Sequence, residues 1–293
     1  MKKIDILCVG AAAYDLSFVT KSHPREDEKM VAEAFYACGG GPAANAAVVA
    51  KRLGFTSAFA GYLGNDIYGR LHFEELQKEG VLTDWIIRGE APTTFSVSII
   101  KKDGRRSLIN YRGATPYLDS GSIDFSNVMP KVILFDGHEP NLSPDLVDFC
   151  RKNKIISILD AGSLHRGTEY LMDKTDYLIC SQIFAEQFTR TRNMRKALRI
   201  LSKYAPNLVL TLGENGLLWK RESDEGALPA FKVKAVDTTG AGDAFHGAFA
   251  VSLLNGLDFK ESLRFSIAAA ALTCTKIGGR MGLPYMNDIE RIL

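Results

Sequence analysis

A run of small and acidic residues late in the chain has the composition of a site that handles phosphate. Asp237-Thr238-Thr239-Gly240-Ala241-Gly242-Asp243 is followed at helical spacing by Phe245, Phe249, Leu253 and Leu254, which predict that a buried helix begins at the glycines. The start of a helix offers unpaired N–H groups and a partial positive charge, and both attract phosphate. Small residues let a ligand approach this backbone. The sequence therefore predicts a phosphate site there.

Asp243 lies at the mouth of this predicted phosphate site. A carboxylate beside amides that bind an anion is unfavourable unless it has a function, and the natural function is to accept a proton from an attacking hydroxyl. Helix capping is the alternative, because Asp is a favoured N-cap residue. The residues alone leave both interpretations open.

The elements that would position this site alternate along the chain. Short apolar runs without polar alternation predict strands covered on both faces at 4–9, 131–135, 155–159, 177–180 and 208–212. Helical patterns lie between them at 42–53, 68–79, 144–153 and 194–204. This alternation predicts a three-layer α/β/α body around a mostly parallel sheet, in one domain over residues 1–293.

Two segments depart from the alternation. Residues 95–100 and 107–111 alternate polar and apolar side chains around an Asp103-Gly104 turn, which predicts a hairpin with one solvated face. The stretch 15–38 also lacks a helical pattern. We expect these parts, about 15–38 and 93–112, to form a small β-sheet lid.

Composition and missing motifs exclude several classes of protein. With 36 Lys and Arg against 34 Asp and Glu, the chain lacks the basic excess of a nucleic-acid binder. Five scattered cysteines without a Cys-x-x-Cys pair fit a reducing cytoplasm, and the longest uncharged stretch, 34–50, is too rich in glycine for a membrane span. A P-loop motif is absent, and so is Gly-x-Gly-x-x-Gly after the first strand, which disfavours a nicotinamide dehydrogenase.

Several glycine-rich motifs together resemble the ribokinase-like, or PfkB, family of carbohydrate kinases. They follow the family's order from residue 6 to 284: Gly39-Gly40-Gly41-Pro42-Ala43-Ala44-Asn45, Gly61 to Asp66 with Gly69, Thr211 to Gly216, Asp237 to Phe245, and Gly278-Gly279 before Pro284. Ser181, His246 and the 274–284 segment are more similar to the ketohexokinase and sulfofructose-kinase branches than to ribokinase. A ketose is therefore the first substrate to expect.

The resemblance assigns functions to particular residues. It implies that Asp243 is the catalytic base and that the amides of Gly240, Ala241 and Gly242 form an anion hole for the transferred γ-phosphoryl group. It also implies sugar-binding residues, namely Asp15, Asn45 and the amides of Gly40 and Gly41, with Asn110 and Arg112 as further candidates from the lid. For Asn45 the alternative is a polar residue on an Ala/Val helix face, and for Arg112 it is ordinary surface solvation.

The same resemblance implies where ATP and cations bind. Ser181, Thr211, Gly213 and Gly216 would bind the nucleotide, and Asp237 and Thr239 match positions that hold a monovalent cation such as K⁺ in many relatives. Residues 181–184 stand where many relatives carry Asn-x-x-Glu, so the way Mg²⁺ is held stays open.

These observations lead to one expected function and two rivals. We expect an ATP-dependent, Mg²⁺-requiring kinase of a small sugar, working as a cytoplasmic homodimer paired through the lid. A nucleoside kinase would need an aromatic wall, for which Phe18, Phe35 or Tyr36 are candidates. A sugar sensor that does no chemistry would need neither Asp243 nor the small-residue run beside it.

Overall fold

The computed structural model describes residues 2–101, 104 and 106–293. Its strands are β1 (Lys2–Val9), β2 (Ala13–Thr20), β3 (Ala34–Gly40), β4 (Ser57–Gly64), β5 (Leu82–Gly89), β6 (Phe95–Lys101), β7 (Arg106–Tyr111), β8 (Val128–Phe135), β9 (Ile156–Ala161), β10 (Tyr177–Ser181), β11 (Asn207–Thr211), β12 (Leu217–Arg221) and β13 (Asp224–Leu228). Its helices are α1 (Pro42–Arg52), α2 (Ile67–Glu79), α3 (Ser143–Asn153), α4 (Arg166–Leu171), α5 (Gln182–Thr189), α6 (Met194–Leu201), α7 (Ala241–Leu254), α8 (Phe259–Thr273) and α9 (Met286–Glu290), with a 3₁₀ turn at Gly213–Asn215.

The larger sheet has nine strands in the order β13-β12-β11-β10-β9-β8-β1-β4-β5. The strands from β11 to β5 run parallel, and β12 and β13 add an antiparallel edge beside β11. Parallel strands need crossover helices, which cover both faces and account for the continuous apolar runs in the sequence. The expected mostly parallel sheet is confirmed.

Two hydrophobic cores lie on opposite faces of this sheet, and β1 contributes to both. Ile6 and Cys8 pack with the α1, α7 and α8 side, whereas Leu7 and Val9 pack with the α3 to α6 side. Successive side chains of a strand point to opposite faces, so the part of a central strand that is covered on both faces, here residues 6–9, is apolar at every position. The sheet is thus the middle layer of three.

The smaller sheet, called the lid here, has the order β3-β2-β6-β7. Residues paired across strands share a face, so one face carries Asp15, Ser96 and Asn110, and the other carries Phe18, Phe35 and Ile99. The serines of the first face are buried, while Phe35 is 53% exposed. We call the Asp15 side the inner face and the Phe18 side the outer face. Asp103 of the expected turn lies outside the described residues.

The sequence patterns missed several elements. β4 (Ser57–Gly64) is buried along its whole length, but its alternation of alanine and glycine with larger residues does not make a bulky apolar run. The edge strand β13 is mostly exposed and polar, so hydrophobicity gives it no signal. Within the described part of the chain, no helix has the length and apolar character of a segment that crosses a bilayer.

Candidate active site

The structure brings three of the expected site residues together from distant parts of the chain. Asp15 comes from β2, Asn45 from the first turn of α1 and Asp243 from the first turn of α7. Asn45 Nδ2 donates to Asp243 Oδ2 over 2.7 Å. Asp15 is close enough to Asp243 for their negative charges to interact.

The start of α7 depends on Gly240. This residue is the N-cap and has φ +80°, in the left-handed region that favours glycine. A Cβ at this position would lie 2.4 Å from the carbonyl oxygen of Gly279. Gly240 therefore lets the helix start against the 278–284 loop, and the backbone of Ala241 and Gly242 follows directly in the first turn.

Burial dominates the electrostatics of the carboxylates at this site. It raises the pKa of Asp243, an effect that the Asn45 hydrogen bond and the charge of Arg106 oppose. Burial and the neighbouring Asp243 charge raise the pKa of Asp15 to about 6. Asp160, at the end of β9, is also buried, and its pKa is raised well above the usual range by burial and by the charge of Asp243. The site thus brings together three carboxyl groups whose pKa values are all raised.

The backbone of Gly40 and Gly41 packs directly against Asp15 and the turn after β1. A Cβ on Gly40 would lie 2.1 Å from Asp15 Oδ2, and one on Gly41 would lie 2.6 Å from the carbonyl oxygen of Ala11. Gly41 is the N-cap of α1 and has φ +96°. Glycine at both positions is therefore a steric requirement of the site.

The lid supplies polar groups from its inner face. Ser96 Oγ donates to Asn110 Oδ1 over 2.8 Å, and a hydrogen bond with Ser96 lowers the pKa of Asp15. Arg106, at the start of β7, extends its guanidinium to Asp237 and Thr239, just ahead of the α7 N-terminus. Its Nη1 lies 3.4 Å from Asp237 Oδ1. The lid thus places a cation beside the predicted anion hole.

Arg112 has a different environment from the other lid candidates. Its guanidinium stacks on the Tyr117 ring at 3.8 Å and donates to the carbonyl oxygens of Thr115 and Pro116 over 3.2 and 3.3 Å. These contacts hold the loop after β7. The structure does not bring Arg112 to Asp243, and its predicted contact with a phosphate or an acidic sugar would require the guanidinium to leave these partners.

The expected nucleotide residues form a second region at the carboxyl ends of β10 and β11. Ser181 Oγ accepts from the Phe184 amide over 3.0 Å and donates to Gly162 O over 2.6 Å. Thr211 Oγ1 donates to Cys180 O over 3.3 Å. A cavity of about 610 Å³ lies between this corner and the lid, lined in part by His23, Gly104, Arg106, Glu214, Ala235 and Thr238.

The described residues bear on how the expected cations could be held. Among residues 2–101, 104 and 106–293, no cluster of three or more His, Cys, Asp or Glu side chains could hold a metal ion. Phe184 is fully buried and cannot stand in for the Glu of an Asn-x-x-Glu motif. Mg²⁺ that arrives with ATP would need no such cluster, because Mg²⁺ is commonly bound through nucleotide phosphates and one or two carboxylates.

Both carboxylate oxygens of Asp237 already accept hydrogen bonds in this structure. Its Oδ1 accepts from the Thr239 amide and hydroxyl over 2.9 and 2.7 Å, and its Oδ2 accepts from the Gly278 amide over 2.9 Å. The Arg106 guanidinium supplies positive charge on the same side. A monovalent cation held by Asp237 would compete with these donors.

Some residues around the site carried no sequence signal. Asp136 is buried after β8 and accepts from the amides of Ala11 and Ala43, which ties the turn after β1 to the start of α1. Arg106 is one of several charged residues around the predicted Asp103-Gly104 turn, and only the proximity of Arg280 to the Gly278-Gly279 motif could have drawn attention to Arg280. Each reaches the site through the fold rather than through a local pattern.

The comparison with known protein families identifies the class of protein. A model described as pfkB family carbohydrate kinase matches residues 3–286. The chain therefore belongs to the pfkB family of carbohydrate kinases, as its motifs predicted, and is an enzyme of the phosphotransferase class.

Individual relatives agree with this assignment over the whole chain. The chain is 28% identical to ribokinase of Bacillus subtilis over 293 residues and 27% identical to deoxyribokinase of Salmonella typhi over 302 residues, with 99% of each chain covered in both cases. The solved structure of ribokinase from Thermotoga maritima superposes with a TM-score of 0.85 at 28% identity, again over 99% of each chain. The expected ribokinase-like fold is confirmed.

Proposed function

We propose that this protein transfers the γ-phosphoryl group of ATP to a hydroxyl of a small sugar, with Asp243 as the general base. The observation that carries the proposal is the half-buried Asp243 carboxylate at the N-terminus of α7, 2.7 Å from Asn45 and beside Asp15. A candidate base and candidate hydroxyl-binding side chains thus lie around one site. The ketose expected from the sequence is one member of the proposed substrate class, and the aldopentoses phosphorylated by its relatives are another.

Each group has a task in this reaction. Asp15 and Asn45, with the amides of Gly40 and Gly41, would bind sugar hydroxyls and orient one of them toward Asp243. Asp243 would take the hydroxyl proton as the oxygen attacks the γ-phosphorus. The amides of Gly240, Ala241 and Gly242 would stabilise the charge that builds on the phosphoryl oxygens. Mg²⁺ bound with ATP would neutralise part of the phosphate charge.

The environment of Asp243 suits a base. Burial raises the pKa of its carboxyl, while the Asn45 hydrogen bond and the neighbouring His246 favour the ionised form. A base works best when it is ionised before the reaction and holds the proton well during it, which requires a pKa near the working pH. The net effect raises the pKa of Asp243 from its ordinary value toward that range.

The lid would exclude water and also form a dimer interface. Its outer face exposes large apolar side chains, among them Phe35 at 53% and Ile109 at 65% exposure. Covering such a patch and the free edge of β7 with a second copy would stabilise the closed lid. Ile109→Lys should convert a dimer into monomers in sedimentation experiments, whereas Ser107→Lys on the same strand face should have less effect. A wild-type protein that sediments as a monomer at micromolar concentration would contradict the dimer.

Sugar is favoured over nucleoside by the faces of the lid. The rings of Phe18 and Phe35 pack at a tilt, with centroids 4.9 Å apart, on the outer face and away from Asp15, so they cannot form an aromatic wall for a base. Tyr36 pairs with Ser17 on the inner face and is the remaining candidate of the three. A site with little aromatic surface suits sugar hydroxyls better than a purine ring.

The monovalent cation and the cytoplasmic location stay expectations. The donors already bound to Asp237 and the charge of Arg106 weaken the case for K⁺ at Asp237 and Thr239. Activity measured in K⁺ and in a bulky organic cation tests it. Cys8, Cys38, Cys150 and Cys180 are free and buried, which is compatible with a reducing compartment.

A substrate panel tests the proposed function. ATP consumption should be measured with ribose, deoxyribose, fructose, sugar acids, fructose 6-phosphate and adenosine, with Asp243→Asn as the background control. The proposal predicts turnover with at least one sugar and none with the variant. Preferential turnover of adenosine would establish the nucleoside alternative, and no turnover on any compound would favour a sensor.

A further inference from the structure

Arg280 is a buried charged residue without an assigned function, next to the proposed sugar site. It lies in the loop between α8 and α9 and is only 4% exposed. Its Nη2 donates to Asn45 Oδ1 over 3.1 Å and lies 3.1 Å from His72 Nε2. The same Asn45 donates to Asp243. A continuous chain of polar contacts thus runs from Arg280 through Asn45 to Asp243.

The direction of these hydrogen bonds follows from the chemistry of the partners. An arginine has donors only, so the Asn45 atom that faces Arg280 must be the amide oxygen. The amide nitrogen must then face Asp243, which as a carboxylate accepts only. A free asparagine could flip its amide and turn the oxygen toward Asp243, where two acceptors would repel each other. Arg280 removes that alternative.

The surrounding structure holds Arg280 in place at a cost in stability. Arg280 Nη1 lies 3.5 Å from Glu75 Oε2, while Nε and Nη1 have no hydrogen-bond partner among the described residues. Arg52 donates to the carbonyl oxygens of Arg280 and Leu283 over 3.1 and 2.7 Å, and so anchors the loop to α1. A buried cation with unused donors is a poor means of stabilising a fold. Its hydrogen bond to Asn45 connects Arg280 to the proposed sugar site instead.

We infer that Arg280 is a positioning residue, whose guanidinium fixes the Asn45 amide so that it donates to Asp243 and holds that carboxylate in its working orientation. That this orientation is the working one rests on the proposed function of Asp243. The hydrogen bonds from Arg280 to Asn45 and from Asn45 to Asp243 do not depend on that proposal. Arg280 acts on Asp243 through Asn45, so the two side chains form one unit. Removing both side chains should therefore change the pKa of Asp243 no more than removing that of Asn45 alone.

The test is a titration of Asp243 in the sugar-free enzyme, by NMR of protein labelled with ¹³C at the aspartate carboxyl carbons. Asp243→Asn identifies the resonance. We expect the pKa of Asp243 to rise in Asn45→Ala, because a donor to the carboxylate is lost, and to rise in Arg280→Met, because the amide can flip. The double variant should show no larger rise than Asn45→Ala. The charged and titratable groups that also face Asp243 stay unchanged in all variants: Asp15, Arg106, Asp136, Asp160 and His246.

Two results would overturn the inference. An unchanged Asp243 pKa in Arg280→Met would mean that Arg280 does not fix the amide, and additive rises in the double variant would mean that it acts by its charge alone. If Arg280→Met does not fold because Glu75 loses its cation, Arg280→Met combined with Glu75→Gln removes that charge and permits the same titration. Arg280→Lys keeps the positive charge and a hydrogen-bond donor group and should restore much of the wild-type pKa of Asp243.

Kinetics separate this inference from the proposed function. With ATP and the best sugar of the panel, Arg280→Met should lower kcat about 10²-fold, the scale expected for a displaced reacting group, and change the KM for ATP little. Full turnover in Asp243→Asn would end the proposed function but leave the titration result standing. Additive titration shifts with an inactive Asp243→Asn would end only the inference about Arg280.

Discussion

The two sides of the cleft are built in different ways. On the sugar side, Arg280, Asn45 and Asp243 come from distant segments and form a network of side-chain hydrogen bonds, and the charge of Asp15 interacts with that of Asp243. On the nucleotide side, Ser181 and Thr211 bond to nearby backbone at strand ends, and Gly213 and Gly216 shape an open turn. One side is organised by side chains and the other by backbone.

This difference predicts how each side responds to substitution. A network of buried side chains fails when one member changes, because the remaining polar groups are left without partners. A backbone corner tolerates the loss of a side chain, because its amides and carbonyls stay in place. The sugar side should therefore be sensitive to single substitutions and the nucleotide side tolerant.

The largest effect is expected for Asp243→Asn. The amide keeps the size of the side chain but cannot take the hydroxyl proton, so turnover should fall by roughly 10² to 10⁴-fold, as for loss of a general base. Binding of ATP should be retained, because the nucleotide corner is unchanged. Turnover by coupled assay and ATP binding by calorimetry measure the two separately. Turnover within a few-fold of wild type would contradict the assignment of Asp243 as the base.

A matched pair of glycine substitutions compares the two sides directly. Gly40→Ala places a Cβ 2.1 Å from Asp15 Oδ2, whereas Gly162→Ala meets only Asp160 Oδ1 at 3.9 Å. Displacement of Asp15 should lower kcat/KM for the sugar by about 10²-fold, and Gly162→Ala should leave it nearly unchanged. Equal losses in the two variants would remove the distinction between the sides.

The pH dependence of sugar binding should report on Asp15. Its pKa is raised to about 6 by burial and by Asp243, and its ionised form is the better acceptor for sugar hydroxyls. The KM for sugar should therefore rise about tenfold per pH unit below about pH 6, and Asp15→Asn should abolish this dependence. A KM profile that is flat down to pH 5 in the wild-type enzyme would argue against an ionised Asp15 in sugar binding.

The raised pKa of Asp15 also makes the stability of the fold depend on pH. Sugar binding should weaken as pH falls, whereas this contribution to stability should weaken as pH rises. Because the folded-state pKa of Asp15 lies above its ordinary value of 3.8, the folded protein binds the proton more tightly than the unfolded chain. Stability is lost as pH rises from about 4 to about 6. Asp15→Asn should thus be more stable than wild type at pH 7, and the difference should shrink toward pH 4.

The smallest effect is expected on the nucleotide side, for Ser181→Ala. This change removes the N-cap of α5 and its bond to Gly162 O, and should lower the free energy of unfolding by about 1 kcal/mol. The KM for sugar should not change, because Ser181 lies outside the sugar network. Denaturant unfolding and steady-state kinetics check the two statements, and a raised sugar KM would mean that the two sides are coupled.

The contrast also explains what the sequence could and could not predict. The buried strands and the Gly240 to Asp243 run were found because continuous apolar runs and clustered glycines are local patterns. Arg106, Asp136 and Arg280 were missed because each is an ordinary charged residue whose position depends on strand order and loop packing. Phe18 and Phe35 were assigned to a possible pocket although strand register places them on the outer face.

The most direct measurement is a crystal structure of the enzyme with its best sugar and a non-hydrolysable ATP analogue. The account predicts a sugar hydroxyl within about 2.6 to 3.2 Å of an Asp243 carboxylate oxygen, with the γ-phosphorus in line beyond it and its oxygens at the amides of Gly240 to Gly242. A sugar bound with its hydroxyls away from Asp243, or a γ-phosphate remote from the start of α7, would contradict the account.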